Sequence, residues 1–362
     1  KVKLLLAILL LVHGLIHLLG FLKAFGIGQY PMLSGQFGRV HGLIWLLSFL
    51  LFFLTAFTMY FNHKLWPWLG LLAIIISQIL IAISWADAKY GTWVNLLLLL
   101  VIIPGMGEFF FNKKVDSEVK LLNNLQEVSI EKSVVSKPEK ALPPIVADWL
   151  KNAGIGTSNS ISKVYLTQKG EMRTRPDGKW MSFQAEQWFS IKDPGFIWKT
   201  RVQMLGPVFL SGRDKLIRGK GRMDISLLSL IPVVRAENER GIDEASMTRF
   251  LAEMIWFPSA LHEPYISWES IGTHKARADF TYGDQSVSGI FSFNEKAEPV
   301  AFEAMRYMET GENAKLEKWV IKNLSFKTFN GIEIPDKSEI LWDLEEGEYH
   351  WLTLEISEIQ YD

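Results

Sequence analysis

Two histidines in the first apolar segment have a spacing that could support chemistry. His13 and His17 are four residues apart, so on a helix they share one face, and His41 begins the next apolar segment. Such imidazoles could bind a metal or haem, or relay protons. Alternatively, neutral histidines could hydrogen-bond between helices and hold them together. Because haem iron normally takes axial ligands from opposing helices, we predict a membrane polar cluster of His13, His17 and His41, with no metal and no cofactor.

The rest of the chain contains no catalytic motif that can be recognised. The nucleophile elbow, zinc-protease, P-loop and dinucleotide-binding patterns do not occur, and His262, His274 and His350 lack metal-ligand spacing. The chain has no cysteine, which excludes disulfides, thiolate zinc sites and cysteine nucleophiles. Arg249 and Glu253 are four residues apart and are predicted to form a surface pair. No catalytic residue is therefore predicted.

Aromatic side chains are dense in the second part of the chain, and they could either fill the core of a curved sheet or line an apolar cavity. Side chains that alternate along strands or share one helix face can point inward together. On this pattern we predict a cavity lined by Trp188, Phe196, Trp198, Met223, Phe250, Met254 and Trp256. Arg235 follows an apolar run and would either neutralise a ligand headgroup or form a buried salt bridge with Glu253.

The amino-acid composition divides the chain into a part expected in lipid and a part expected in water. Nearly every long uncharged run lies before Asn112, and nearly all acidic residues follow it. The total of 38 basic and 39 acidic side chains argues against a nucleic-acid partner, which would need a basic surface. We predict a transmembrane bundle at residues 1–111, a linker with a short amphipathic helix at 112–141, and a soluble β-rich domain at 142–362.

Four apolar stretches are each long enough to cross a bilayer, which takes about 20 residues. They are Leu4–Leu22, Val40–Phe61, Leu65–Ala86 and Thr92–Phe111. The first stretch lacks a small-residue cleavage site and is followed by three more spans, so we expect a retained helix rather than a signal peptide. The bundle is predicted to be all-α.

The basic residues of the short loops predict the orientation of these spans. Five lie on the side of both termini and three on the opposite side: Lys1, Lys3, Lys64, Lys113 and Lys114 against Lys23, Arg39 and Lys89. Because cytoplasmic loops carry the excess of Lys and Arg, both termini and the β domain are predicted to be cytoplasmic. This corresponds to a multi-pass protein of a bacterial inner membrane.

After Ser160 the apolar period changes to two, which indicates strands. Nine short runs bounded by Gly, Pro, Asn and Asp predict a large antiparallel sheet. One helical stripe interrupts them, with Asp243 as the expected N-cap and Ile255 near the end. We predict a mainly antiparallel β half-barrel with this helix covering it.

Three runs of the second part resemble an uncharacterised bacterial family, a domain of unknown function with soluble stand-alone members. They are WMSFQAEQWFSIKDPGFIWKTRV from Trp180, GKGRMDISLLSLIPVVRA from Gly219 and RFLAEMIWFPSAL from Arg249. The resemblance extends from about Leu142 to the C-terminus. It implies a fold similar to the lipoprotein carriers LolA and LolB, a curved antiparallel half-barrel with helices over an apolar cavity. It implies no catalytic residue.

The membrane part resembles the N-terminal half of Bacteroidota-type members of this family. The matching runs are HGLIHLLGFLKAF from His13 and SQILIAISWADAKYGTWVN from Ser77. Together the two resemblances imply a β domain fused to a four-helix membrane region.

Three functional hypotheses follow from the sequence. The first is a non-enzymatic, membrane-tethered binder of a membrane lipid or other apolar small molecule. The second is a membrane redox, metal or haem protein that uses the bundle histidines. The third is a structural docking module for a protein partner, which the sequence does not identify.

Overall fold

The computed structural model describes residues 2–30, 33–35, 37–132, 142–155, 161–309, 311 and 314–362, without the side chains of residues 126–132. Two compact units divide at Lys113 and Lys114. Residues 133–141 of the predicted linker lie outside the described residues.

The first unit is helical, as the long apolar runs require. Its elements are α1 (Val2–Ala24), α2 (Arg39–Tyr60), α3 (Trp66–Ile83), the short α4 (Trp85–Ala88) and α5 (Gly91–Lys132), which continues into the second unit. Among the described residues, four helices are long and apolar enough to cross a membrane, and they coincide with the four predicted spans. The predicted all-α region is confirmed.

Small residues let the first two helices approach closely. A Cβ atom at Gly20 would lie 2.4 Å from the indole of Trp45. Glycine at this position therefore allows α1 to pack directly against the tryptophan of α2, as is common between membrane helices.

The second unit is dominated by one antiparallel sheet of thirteen strands, all within the described residues. In chain order the strands are β1 (Lys163–Met172), β2 (Met181–Ser190), β3 (Gly195–Gln203), β4 (Phe209–Ile217), β5 (Lys220–Leu227), β6 (Ile231–Glu237), β7 (Ile266–Ser270), β8 (Lys275–Tyr282), β9 (Gln285–Phe293), β10 (Pro299–Tyr307), β11 (Leu316–Phe329), β12 (Ile332–Leu344) and β13 (Gly347–Tyr361). The predicted antiparallel, β-rich second part is confirmed.

The sheet is two meanders joined at a single seam. Strands β1 to β6 form one meander and β7 to β13 the other, and β1 pairs with β13 between them. The seam runs from Val164 opposite Tyr361 to Met172 opposite Leu352, with one bulge after Thr167. The two halves of the sheet are thus linked by pairing between residues nearly 200 positions apart.

Helix α7 (Arg240–Glu253) crosses the inner face of the sheet and connects the meanders. It contacts β5, β9 and β10 and is followed by two 3-10 turns, Met254–Trp256 and Pro258–His262. A second helix, α6 (Pro144–Asn152), adds Val146, Trp149 and Leu150 to the same apolar core. The predicted covering helix is present.

The start of this helix was predicted wrongly. The helix begins at Arg240, so Asp243 lies within its first turn rather than at the N-cap. Its carboxylate is buried and accepts hydrogen bonds from the Gly221 backbone N–H (2.8 Å) and from Lys220 Nζ (2.8 Å). Asp243 therefore fastens α7 to β5.

Helix α5 extends further than the sequence predicted. It is continuous from Gly91 to Lys132, where a span ending at Phe111 and a separate short helix were expected. Two residues of the predicted amphipathic stripe, Val115 and Leu122, are buried. The amphipathic segment is therefore the continuation of the fourth apolar helix.

Candidate functional site

Two of the three bundle histidines lie in a buried polar cluster. His17 Nδ1 donates to the His13 carbonyl oxygen (2.9 Å), so its Nε2 accepts from Ser77 Oγ (2.8 Å). His13 Nε2 lies 3.0 Å from Asn95 Oδ1, and the Asn95 amide reaches Gln78 Oε1 (3.1 Å). These bonds connect α1, α3 and α5.

His41 is not part of this cluster. It lies in the first turn of α2, and its side chain is exposed. A metal or haem at His17 would have to displace a hydrogen bond, since both ring nitrogens are engaged. The geometry of His13 and His17 is that of interhelical hydrogen bonding.

A cavity of about 400 Å³ lies in the second unit, between the inner face of the sheet and α7. Its wall is mostly apolar and is built from inward-pointing positions on both meanders. The apolar lining includes Val202, Leu210, Met223, Ile225, Ile255, Ile321, Ile340, Trp198, Trp256, Trp319, Trp342 and Trp351. Its volume is within the roughly 300–1,000 Å³ that is usual for small-molecule sites.

The structure brings three of the predicted lining residues into this cavity, namely Trp198, Met223 and Trp256. Phe196, Phe250 and Met254 also point inward, but they are fully buried in the aromatic core beside it, where Phe250 packs against Phe257 and Phe280.

The other two predicted residues lie elsewhere. Trp188 is on the outer face, since its neighbours Gln187 and Phe189 point inward, and it packs on Tyr165 with ring centroids 5.4 Å apart. Arg235 is on the outer side of β6, with 62% of its side chain exposed, and pairs with Asp224 (3.4 Å). The predicted Arg235–Glu253 salt bridge does not form.

A continuous polar network crosses the cavity wall. Arg249 donates from Nη1 to Asp214 Oδ2 (2.8 Å) and from Nε to Glu253 Oε1 (2.7 Å). Gln187 donates to the second Glu253 oxygen (2.7 Å), and Gln168 links Gln187 to the indole N–H of Trp198. The Arg249–Glu253 pair is thus buried between α7 and the sheet, and the prediction of a surface pair was wrong.

The environment of this network perturbs its ionisable groups. Burial raises the pKa of Glu253 above its usual range, although Arg249 and Gln187 oppose that shift. Removal from water disfavours a charged carboxylate, and the hydrogen bonds to it compensate only in part. A carboxyl whose folded pKa is raised contributes stability at low pH, and that contribution is lost as the pH rises through the folded pKa.

Arg306 is a charged cavity residue that the sequence pattern did not predict. It lies on the inner face of β10 two positions after Ala304, and its guanidinium stacks 4.8 Å from the ring of Trp319 and 5.7 Å from that of Trp342. Burial lowers its pKa to about 10, so it remains charged at neutral pH. The alternation of Phe302, Ala304 and Arg306 was the available signal.

Exposed apolar loops connect the strands at one end of the cavity. The lining residues Val202, Leu210 and Ile225 lie near the end of β3, the start of β4 and the end of β5. The loops that follow β3 and β5 there expose Leu205 (84%) and Leu230 (41%). These two loops therefore expose apolar side chains at the same ends of neighbouring strands.

Three solved structures show low-identity likeness to the chain, each over 60% of its length. They are a domain named for outer membrane lipoprotein sorting from Vibrio parahaemolyticus (8% identity, 91% of that chain, TM-score 0.34), a LolA superfamily protein from Nitrosomonas europaea (13%, 93%, 0.32) and a DUF1329 family protein from Desulfovibrio piger (9%, 93%, 0.32). No role is assigned to a residue of this chain from them. No curated protein matches the sequence.

A sequence family covers most of the second unit. The match extends over residues 133–354, which is more than half of the chain and includes every residue that lines the cavity. It agrees with the resemblance carried by the runs from Trp180, Gly219 and Arg249. The chain therefore belongs to the family of unknown function DUF6544.

Proposed function

We propose that the β domain binds a membrane lipid or another apolar small molecule in its cavity, and that the apolar helices tether this domain to a membrane. The cavity itself carries the proposal, because its walls of aliphatic and aromatic side chains enclose about 400 Å³. Burying apolar surface there yields roughly 25 cal/mol per Å². An acyl chain would thus bind with several kcal/mol before any headgroup contact.

The exposed loops support exchange of this ligand with a bilayer. Leu205 and Leu230 lie in the loops at one end of the cavity, and apolar loop tips of this kind lower the barrier for a lipid to leave a membrane. The protein would then be a non-enzymatic binder. Its fusion to a Bacteroidota-type membrane region stays a prediction from the sequence.

Filling part of the cavity is expected to weaken binding. Ile225 is half-buried and lines the cavity, so Ile225→Trp should occupy part of its volume and weaken an apolar probe at least about tenfold. The matched control is Ile231→Trp, because Ile231 is 58% exposed and outside the lining. Full-length protein in amphipol would be titrated with the neutral fluorophore N-phenyl-1-naphthylamine, and empty amphipol would give the background.

Equal binding by the wild type and the Ile225→Trp variant would place the probe elsewhere. If the folded wild type does not bind the probe at all, the docking-module hypothesis becomes the better account. Mass spectrometry of molecules that co-purify with the protein would identify the natural ligand.

We propose further that the protein lies in a bacterial inner membrane with both termini and the β domain in the cytoplasm, as the distribution of Lys and Arg favours. Alkaline phosphatase fused after Lys114 should then be inactive, because it forms its disulfides only in the periplasm. The same enzyme inserted between Gly26 and Gly38 should be active. The opposite pattern would place the β domain in the periplasm.

A further inference from the structure

Four arginines line the cavity, and Arg306 differs from Arg213 and Arg249, which are paired with carboxylates. Arg249 is paired with Asp214 and Glu253, whereas Arg306 forms no ion pair with any carboxylate in the described part of the chain. Its Nε donates to the Ala245 carbonyl oxygen (3.1 Å), which fixes the plane of the guanidinium. Its two terminal nitrogens thus remain without a protein acceptor among the described residues, beside the cavity.

Three other donors of the cavity wall lack an acceptor among the residues that the structure describes. The indole nitrogens of Trp256, Trp319 and Trp351 are buried without a hydrogen-bond partner in the described structure, and an indole N–H can only donate. These three residues line the same cavity. One acceptor, Asp214 Oδ1, is similarly unpartnered. Buried donors without acceptors are costly, so the arrangement favours a ligand that supplies acceptor oxygens.

The number of unpaired cations beside Arg306 limits the charge of the ligand headgroup that can bind there. The charged neighbours of Arg306 are Asp214, Glu253 and Arg249, and Arg249 already pairs with both carboxylates. Arg173 also lines the cavity without an ion pair among the described residues, but it lies just beyond the end of β1, where it donates to the His350 carbonyl oxygen and stacks on Trp180. A single guanidinium matches a planar monoanion with two oxygens, which it can bind through two parallel N–H···O bonds. A phosphate monoester dianion would bring a second charge, and no second unpaired cation lies beside Arg306 among the described residues. The chemistry therefore points to a carboxylate.

The volume of the cavity limits the length of the ligand's apolar chain. A methylene group occupies about as much space as a water molecule, roughly 30 Å³, so a cavity of about 400 Å³ holds on the order of a dozen carbons. This is one acyl chain of medium length rather than the two chains of a phospholipid.

We propose that the cavity binds a single-chain fatty acid, with its chain against the apolar wall and its carboxylate on the free guanidinium edge of Arg306. This proposal rests on the function proposed above and assigns Arg306 as the residue that selects the acidic headgroup. The two tryptophans beneath the guanidinium hold the cation in place and offset part of the cost of its burial.

The test compares three ligands of equal chain length on the full-length protein in amphipol. Dodecanoate, dodecanol and methyl dodecanoate would each displace N-phenyl-1-naphthylamine at pH 8. We expect dodecanoate to bind about 10–100-fold more tightly than the two neutral ligands, since a hydrogen bond to a charged group is worth that much when shielded from water. Arg306→Met should remove this preference and leave dodecanol binding within about threefold, which also shows that the variant is folded.

Two control variants test whether the preference depends on the guanidinium geometry and on the position of the arginine. Arg306→Lys should keep part of the preference for dodecanoate. The positive charge remains, but the planar guanidinium that can donate two parallel hydrogen bonds is lost. Arg235→Met, which removes an exposed arginine outside the cavity, should keep all of it. Equal binding of dodecanoate and dodecanol by the wild type would overturn the role of Arg306 and leave the proposed function standing. Binding of neither would overturn both.

Discussion

Replacing Arg249 by methionine is expected to destabilise the β domain by about 3–5 kcal/mol at neutral pH, the usual cost of removing one partner from a buried ion pair. Arg249 is the cation between two buried carboxylates, Asp214 and Glu253, at 2.8 and 2.7 Å. Methionine keeps much of the apolar stem but leaves both carboxylates without their main partner. Urea unfolding of the full-length protein, followed by near-ultraviolet circular dichroism of the tryptophans, would measure the loss.

The pH dependence of the stability loss distinguishes an effect of charge from an effect of packing. Burial already raises the pKa of Glu253, and without Arg249 that pKa should rise further. A carboxyl with a raised folded pKa destabilises the fold once the pH exceeds that value, and the penalty disappears below the unfolded value of about 4.3. The deficit of the Arg249→Met variant should therefore be largest near pH 8 and should shrink toward pH 5. A deficit independent of pH would mean that lost packing, not charge, causes it.

A matched control lies on the same helix. Arg240 pairs with Glu244 four residues later, but 78% of its side chain is exposed. Solvent screens such a pair, so Arg240→Met should leave the urea midpoint unchanged within error. A comparable loss in both variants would contradict the importance of the buried network.

Replacing Gly170 by alanine is expected to destabilise the sheet by about 3 kcal/mol or more, because the added methyl group has no space. Its Cβ would lie 1.9 Å from the Thr353 carbonyl oxygen and 2.8 Å from the Phe183 ring. The first contact is with the backbone of β13, so β1 and β13 would have to separate. That pair is the seam between the two meanders, and thermal unfolding of the full-length protein would detect the loss.

Gly241 is the control for this substitution. It lies in the first turn of α7, and its Cβ would meet Tyr307 at 3.4 Å, an ordinary contact distance. Gly241→Ala should leave the midpoint unchanged or raise it slightly, because alanine is the better helix former by about 0.5–1 kcal/mol. Equal midpoints for the two alanine variants would show that the seam tolerates a methyl group at Gly170.

Local patterns were sufficient to predict the element types. Long uncharged runs give membrane helices because an unpaired backbone is too costly in hydrocarbon, and this holds whatever the neighbours are. Alternation likewise identified strands such as β2 and β9, whose inner faces are mostly apolar. It missed β4, β5, β6 and β7, and in β4 the buried residues include Arg213 and Asp214. A charged residue buried in a strand looks like a surface position until its partner is known.

The candidate site depended on contacts that no local pattern contains. From the sequence, Arg249 appeared as half of a helix surface pair and Arg306 as one more charged strand residue. Only the tertiary structure places Asp214 of β4 against Arg249 and the tryptophans of β11 and β12 beneath Arg306. The sequence by itself determined the four long apolar helices, the antiparallel sheet and the covering helix, because hydrophobic periodicity is local. Which inward-pointing residues meet at the cavity was decided by the β1–β13 seam, a pairing across nearly 200 residues that periodicity cannot specify.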